Sequence, residues 1–324
     1  MEAASTPADP AVLRRTRHAG DRIGDAALYG LTAAAAAFTV ALVGFLVYKV
    51  VRDAWPAISE FGLGFVADRV WNPVLNQFGA LDFIYGTAFT SFGAILLAAP
   101  LSIAIALFLT ELAPRALRGL IGTLVETLAA VPSVVLGLWG ILVLGPFVRD
   151  HLGPFLDRTL GFLPLFGGEP QLTGYLPAVI VLTIMALPII ASISRELFLT
   201  VPPDLKEGAL ALGATRWEMV RGVMLPYVGG GLVGAVILGL GRAIGEAIAV
   251  TQVIGGQTGI HISLFANGDT LASRIAAQYQ GAPTGLQIAA IVYLAAILLV
   301  FSLVANFAAL LIVRRSERRV RGLA

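Results

Sequence analysis

Six stretches of this chain are long and apolar enough to cross a bilayer, and no other feature restricts the fold so strongly. They run over roughly 26–51, 83–112, 121–144, 175–198, 227–254 and 286–313. A spanning helix needs about 20 mostly apolar residues. Several of these runs are longer, which predicts tilt or protrusion beyond the hydrocarbon. Hydrophobic residues make up 57% of the chain and charged residues 13%, against about 45–50% and about 25% in soluble domains. Such a chain cannot be covered by water on all sides. An ordinary cytosolic enzyme, a disordered regulator and a DNA-binding domain are excluded. The expectation is an all-α polytopic membrane protein of six transmembrane helices.

The first run is too long for the apolar core of a signal peptide, and no small-residue cleavage site follows it. Residues 1–25 read as a polar tail, 26–313 as the membrane domain and 314–324 as a basic tail. Basic residues orient the spans. With the N-terminus inside, the inner segments carry Arg14, Arg15, Arg17, Arg22, Arg115, Arg118, Arg195, Lys206, Arg216, Arg221 and the arginines from Arg314 to Arg321. The outer segments carry only Lys49, Arg52, Arg69, Arg149, Arg158 and Arg274. Both termini are therefore expected in the cytoplasm, with the basic C-terminus on anionic lipid. The outer segments are acidic and rich in turn residues, so they are either plain connectors or a docking surface for a soluble partner.

Some chemistry is excluded by residue type. Cysteine is absent, which removes disulfides, thiolate metal sites and thiol nucleophiles. His18, His151 and His261 are scattered without metal-ligand spacing, so no metal site is expected. Ser133 has no histidine on a neighbouring span, which argues against a serine hydrolase. No aromatic-interleaved basic patch points to nucleic acid. Lys49 and Lys206 are the only lysines, and neither completes a G-x-x-x-x-G-K-[ST] loop. If ATP drives this protein, ATP and Mg belong on another chain, and no cofactor is expected here.

Residues 201–226 form the most informative loop. Pro202 and Pro203 stop the fourth span. Asp204 is placed to cap a short helix over 205–212, with Glu207 completing a capping box, and Gly213 suits the left-handed position that ends it. Thr215 with Glu218 repeats the box before the next helix. By physics alone this rigid surface helix is either a lever or a tidy connection.

Arg242 and Glu246 are the second informative feature. Both fall within the fifth apolar run, four residues apart and on one helix face, where an arginine costs about 2.5–3.5 kcal/mol at mid-membrane. Glycines at 229, 230, 231, 234, 239, 241 and 245 strip the surrounding surface, allowing close packing or the approach of a solute. One reading is an internal ion pair that fixes helix position. The other is a station for an oxyanion, since guanidinium is always charged and offers paired donors. Glu246 would hold Arg242 when the station is empty and accept a hydrogen bond from a P–OH group, which sulfate lacks. Pro132 and Pro188 read as helix kinks. Ser133, beside Pro132, either offers a hydroxyl to the pathway or merely adjoins a packing kink. Thr251 and Gln252 are placed to face solute near the outer end of the run.

These residues also carry a family resemblance. Glu207-x-Ala209-x-x-x-Gly213, nine residues, then Val223-x-Leu225-Pro226 resembles the E-A-A-x-x-x-G-(x9)-I-x-L-P loop of ABC-importer permeases, departing at Gly208 and Val223. G-R-A-x-G-E around Arg242 is similar to permeases of phosphate, sulfate and molybdate importers. A-V-P-S-V-V-L-G-L-W-G over 130–140 resembles phosphate-importer permeases, specifically the C-type subunit of the phosphate-specific transport system. The resemblance covers about residues 20–315. It implies the type I importer permease architecture and a coupling helix comprising Asp204, Glu207, Gly208, Ala209 and Gly213. It also implies a second homologous permease chain, a separate ATPase dimer and an extracytoplasmic phosphate-binding protein. Sulfate or molybdate transport, an ATPase-independent anion transporter and a scaffolding subunit remain as alternatives.

Overall fold

The computed structural model describes residues 19–321, without the side chains of 19–23, Arg115 and 312–321. Most of the expected N-terminal tail, with Arg14, Arg15 and Arg17, lies outside the described residues, as do the side chains of Arg22 and of the arginines from Arg314. The chain divides into two compact units, Met1–Arg52 and Asp53–Ala324. Helix α1 (Ala19–Phe61) supplies the described part of the first unit and opens the second. Among the described residues six helices are long and apolar enough to cross a membrane, as the sequence predicts. Hydrocarbon offers no partner for a free peptide group, so each crossing closes its own hydrogen bonds as a helix.

In the second unit α2 (Gly64–Ala67) and a two-residue hairpin, β1 (Trp71–Asn72) with β2 (Gln77–Phe78), precede α3 (Leu81–Leu112). The hairpin pairs Trp71 with Phe78. Its turn is built on the Asn72 side chain, which accepts the Val74 and Leu75 amides at 3.0 and 3.2 Å. Then come α4 (Arg115–Ala130), α5 (Ser133–Leu160), α6 (Tyr175–Leu199), α7 (Pro203–Ala211), α8 (Arg216–Gly245), α9 (Ile248–Val253), α10 (Leu271–Gln278) and α11 (Gly285–Arg321).

Helix α6 is the axis of this unit. Its apolar window is 67% buried, while no other span exceeds 33%. Helix α3 lies along it, and α8 packs on both and on α11. Ser91, Ala94, Ala98, Ser102 and Ala106 are buried on α3. Small side chains let helix backbones approach where no hydrophobic effect drives them together. Their hydroxyls are used in place: Ser102 Oγ donates to the Leu187 carbonyl at 3.0 Å and Thr183 Oγ1 to the Ala94 carbonyl at 3.3 Å. Pro188 stays inside continuous α6, buried, as Pro100 stays inside α3.

Three spans differ from expectation. The first, expected over 26–51, continues as helix to Phe61. The apolar run 121–144 is not one helix. It breaks at Val131 and Pro132, both extended, with ψ of 127° and 137°. A residue before proline is pushed out of the α region, and Pro132 cannot donate to α4. Pro132 is therefore a break rather than a kink. Helix α4 lies before it, and the third crossing runs over Ser133–Leu160. Likewise 227–254 is not one span: α8 ends at Gly245, Glu246 is extended (φ −73°, ψ 114°), and α9 starts at Ile248.

Glycines set how α9 meets α5. A Cβ at Gly137 would lie 2.8 Å from Ala249 Cα, and one at Gly140 would lie 2.6 Å from Val253 Cγ1. At Gly229 in α8 a Cβ meets nothing within 4 Å. Gly137→Ala should therefore cost about 1–3 kcal/mol through overpacking against backbone and lower the unfolding temperature of the purified protein. Gly229→Ala should leave it unchanged or raise it, since glycine costs a helix about 0.5–1 kcal/mol relative to alanine.

Candidate functional site at the two helix breaks

The two breaks meet at Arg242. This residue is in the last turn of α8, not mid-span as the apolar pattern implied. Its side chain is 45% exposed, whereas Glu246 is 7% exposed, and the two approach to 3.5 Å between Nη2 and Oε2. They do not share a helix face, because Glu246 lies one residue beyond the helix end. Glu246 instead faces forward as well: its Oε1 accepts the Ala249 amide at 3.2 Å, capping the first turn of α9. The carboxylate is thus fixed by α9 and holds the guanidinium only loosely.

Arg242 borders a cavity of 180 Å³ whose other walls are Leu128, Ala129, Val131, Leu136, Met185 and Ile189. Three of these belong to the end of α4 and the break itself. A helix ends with carbonyls that lack amide partners, and a cation is favoured there. Arg242 thus faces the cavity with the Glu246 carboxylate 3.5 Å away and the last turn of α4 among the opposite walls. The volume suits a small tetrahedral oxyanion. Gly241 and Gly245 flank Arg242 and face open space, while Gly231 and Gly239 receive Leu197 and Ile190 closely. The glycine run therefore serves packing at some positions and openness beside the arginine at others.

The remaining expected residues divide. Ser133 begins α5, half-buried, next to the break but outside the cavity wall. Thr251 is committed elsewhere: its hydroxyl donates to the Ala247 carbonyl at 2.7 Å and approaches that of Ser273 at 3.4 Å. On the opposite side, Gly213 has φ +87° and ends α7, as its place predicts. Thr215 and Glu218 form their reciprocal box. Asp204 is not a cap. Pro202 holds that position and Pro203 the first helical one, where a missing amide costs nothing, so Asp204 is displaced into the first turn. Asp204, Glu207 and Gly208 are exposed and Ala209 is half-buried. An added Cβ at Gly208 would meet nothing within 4 Å, so the departure from alanine there reflects no steric need. Leu205, Leu210, Leu212 and Trp217 are all exposed around this helix.

Sequence reading missed a buried ion pair in the segment between α9 and α11. Asp269 and Arg274 meet at 2.7 Å with side chains 4% and 9% exposed. Arg274 lies 4.8 Å from the Phe83 ring and donates to the Gly256 carbonyl at 3.1 Å. Asp269 also accepts the Thr270 amide and the Ser273 hydroxyl. Burial pushes the Asp269 carboxyl up, with Arg274 and these hydrogen bonds pulling against it. Nothing in the local pattern marked either residue, because the partners are brought together by the turn at 270.

The model of the binding-protein-dependent transport system inner membrane component family matches residues 98–322. The chain belongs to this family. It is one of multi-pass inner-membrane permeases and not of catalytic enzymes. This permease is 44% identical over 282 residues to the phosphate transport system permease protein PstC of Mesorhizobium japonicum, covering 86% of each chain. It is 42% identical over 291 residues to the protein of the same name in Pasteurella multocida, covering 88% and 91%. A probable phosphate transport system permease protein PstC of Methanocaldococcus jannaschii is 35% identical over 288 residues, covering 87% and 90%. Among solved structures, a chain of a bacterial alginate ABC transporter aligns with a TM-score of 0.57 at 17% identity, covering 94% of this chain and 98% of that one. A chain of the MetNI methionine ABC transporter aligns at 0.50 and 21% identity, covering 73% and 94%. These two establish the all-α importer-permease fold and no more.

Glu246→Ala should free the first turn of α9 without unfolding α8. Exchange of the Ala249 amide should quicken by roughly fivefold, the loss of one cap of about 1 kcal/mol, while amides over 230–240 keep their protection. Glu246→Gln, which retains an acceptor oxygen, should stay closer to the parent.

Proposed function

We propose that this chain is the permease subunit of an ATP-driven importer of inorganic phosphate and forms half of the translocation pathway. The observation that carries the proposal is the 44% identity, over 86% of both chains, to a phosphate transport system permease. The geometry at Arg242 is consistent with it. A station on a pathway must bind an anion briefly, and a half-exposed guanidinium with a loose carboxylate partner does so without trapping it. An arriving oxyanion takes two parallel N–H donors from Arg242. Glu246 Oε2 is then released and accepts from P–OH, while Oε1 keeps its bond to the Ala249 amide. Sulfate carries no such proton, so selectivity for phosphate would rest on Glu246.

The exposed apolar side chains around α7 would seat an ATPase dimer in the cytoplasm, where ATP and Mg are held, and both termini would lie on that side. A soluble phosphate-binding protein would dock on the outer segments, and a second, related permease chain would complete the pathway. The rigid unit from Pro203 to Gly213 would act as the lever, with Gly213 fixing its exit angle. Ser133 and Thr251 are retained only as neighbours of the pathway, since the Thr251 hydroxyl is already committed.

Uptake of labelled phosphate at low concentration, with and without this chain and with excess sulfate or molybdate, tests the proposal. Loss on deletion and indifference to the competitors is expected. Unchanged uptake in cells lacking any other importer would remove phosphate as the substrate. Arg242→Gln should abolish uptake in a complex that still assembles, and loss of assembly would return the pair to a structural role. Gly213→Val forces a branched residue into a left-handed backbone at about 1–2 kcal/mol. It should leave ATP hydrolysis running while uptake falls, as read by phosphate moved per ATP.

A further inference from the structure

The cytoplasmic helix α7 carries one of only two lysines in the chain, and that lysine is not in solvent. Lys206 Nζ lies 2.7 Å from Glu111 Oε1, with both side chains four-fifths buried. Glu111 belongs to the inner end of α3, in a wide five-residue turn over Phe108–Leu112 that ends at extended Ala113. Such turns add a residue to the helical repeat and re-aim side chains. The pair therefore joins α7 to the second span across 95 residues of sequence.

Its placement is unusual in one physical respect. A carboxylate in the last turn of a helix faces the negative end of the dipole, and an ammonium in the first turn faces the positive end. Glu111 and Lys206 each occupy the disfavoured end of their own helix. Neither position is explained by its own helix, but both are explained by the other residue. Apolar packing beside them is thin: a hollow of 490 Å³ bordered by Leu107, Leu112, Leu210 and Trp217 lies against the pair. Elsewhere α7 touches the body through half-buried Ala209, which packs on a cluster containing Phe198, Met219 and Met224. The ion pair is thus the direct polar link from α7 to α3. Helix α3 lies along α6, and both contact α8, which carries Arg242.

We propose that Lys206 and Glu111 are positioning residues that pass displacement of α7 to the second span and so to the Arg242 site. The inference rests on the transport reading above. Loss of either partner leaves a largely buried charge unpaired and lets α7 move without carrying α3. The exchanged pair, Lys206→Glu with Glu111→Lys, places each charge at the favourable end of its helix, and the link re-forms.

The test uses the assembled complex in vesicles, with phosphate uptake and ATP hydrolysis measured together for the parent, Lys206→Met, Glu111→Gln and the exchanged double variant. Each single variant should retain the partner ATPase on purification and hydrolyse ATP. Phosphate moved per ATP should fall roughly tenfold, within the range of coupling between contacting residues. The exchanged variant should recover at least half of the parent ratio, which a merely destabilised loop would not do. Single variants that keep the parent ratio, or an exchanged variant no better than the singles, would overturn the inference while leaving the transporter reading in place. A parent complex without ATP-dependent phosphate uptake would overturn both. Because the chain lacks cysteine, Lys206→Cys with Glu111→Cys gives an independent check. A short thiol cross-linker should join the two positions in the parent background and preserve coupling, and failure to join them would also overturn the inference.

Discussion

Backbone polarity inside hydrocarbon governs this protein. Every amide and carbonyl in a crossing must find a partner within its own helix, so a crossing ends where the backbone turns aside and its free groups need other protein or water. Among the described residues of the second unit, two crossings meet such breaks, at Val131–Pro132 before α5 and at Glu246–Ala247 after α8. They border the same small cavity or supply its charged residue. The end of α4 offers carbonyls, the start of α9 is closed by a carboxylate, and Arg242 stands between them.

That arrangement depends on close packing elsewhere. Helix α9 is only six residues long and could not stand alone. It is held because Gly137 and Gly140 let it lie directly on α5, and because Ala249, Val250 and Val253 are buried against the cluster around Tyr175 and Leu182. The ion pair Asp269–Arg274 and the Ser273–Thr270 cap then fix the chain leaving α9. At the opposite end, the Lys206–Glu111 pair and the turn at Gly213 define how α7 stands off the spans. Polar and small residues, not the apolar bulk, therefore specify this unit.

The crossings themselves were legible, since a run of about 20 apolar residues admits few other structures. Spans 83–112, 175–198 and 286–313 match the structure within two residues at each end. The two broken runs, 121–144 and 227–254, share a cause. Hydropathy reports which residues prefer hydrocarbon and is blind to whether the backbone between them is continuous. Pro132 was visible but read as a kink, because a proline inside an apolar run bends some helices and ends others, as Pro100 and Pro188 show by staying within theirs. Nothing marked the break at Glu246. Asp204 failed as a cap because Pro202 and Pro203 had already taken the positions that a cap would occupy.

The sequence by itself determined the all-α class, the crossings, the short loop helix with its left-handed Gly213 and the pairing of Arg242 with Glu246, because each follows from local pattern or fixed backbone chemistry. Only the tertiary structure decided that Arg242 stands at a helix end beside a cavity, that Glu246 caps a separate helix, and that Asp269 meets Arg274 and Lys206 meets Glu111. Lys206 and Glu111 are 95 residues apart, and the other relations depend on where a helix ends and how the chain turns there, which apolar pattern does not report.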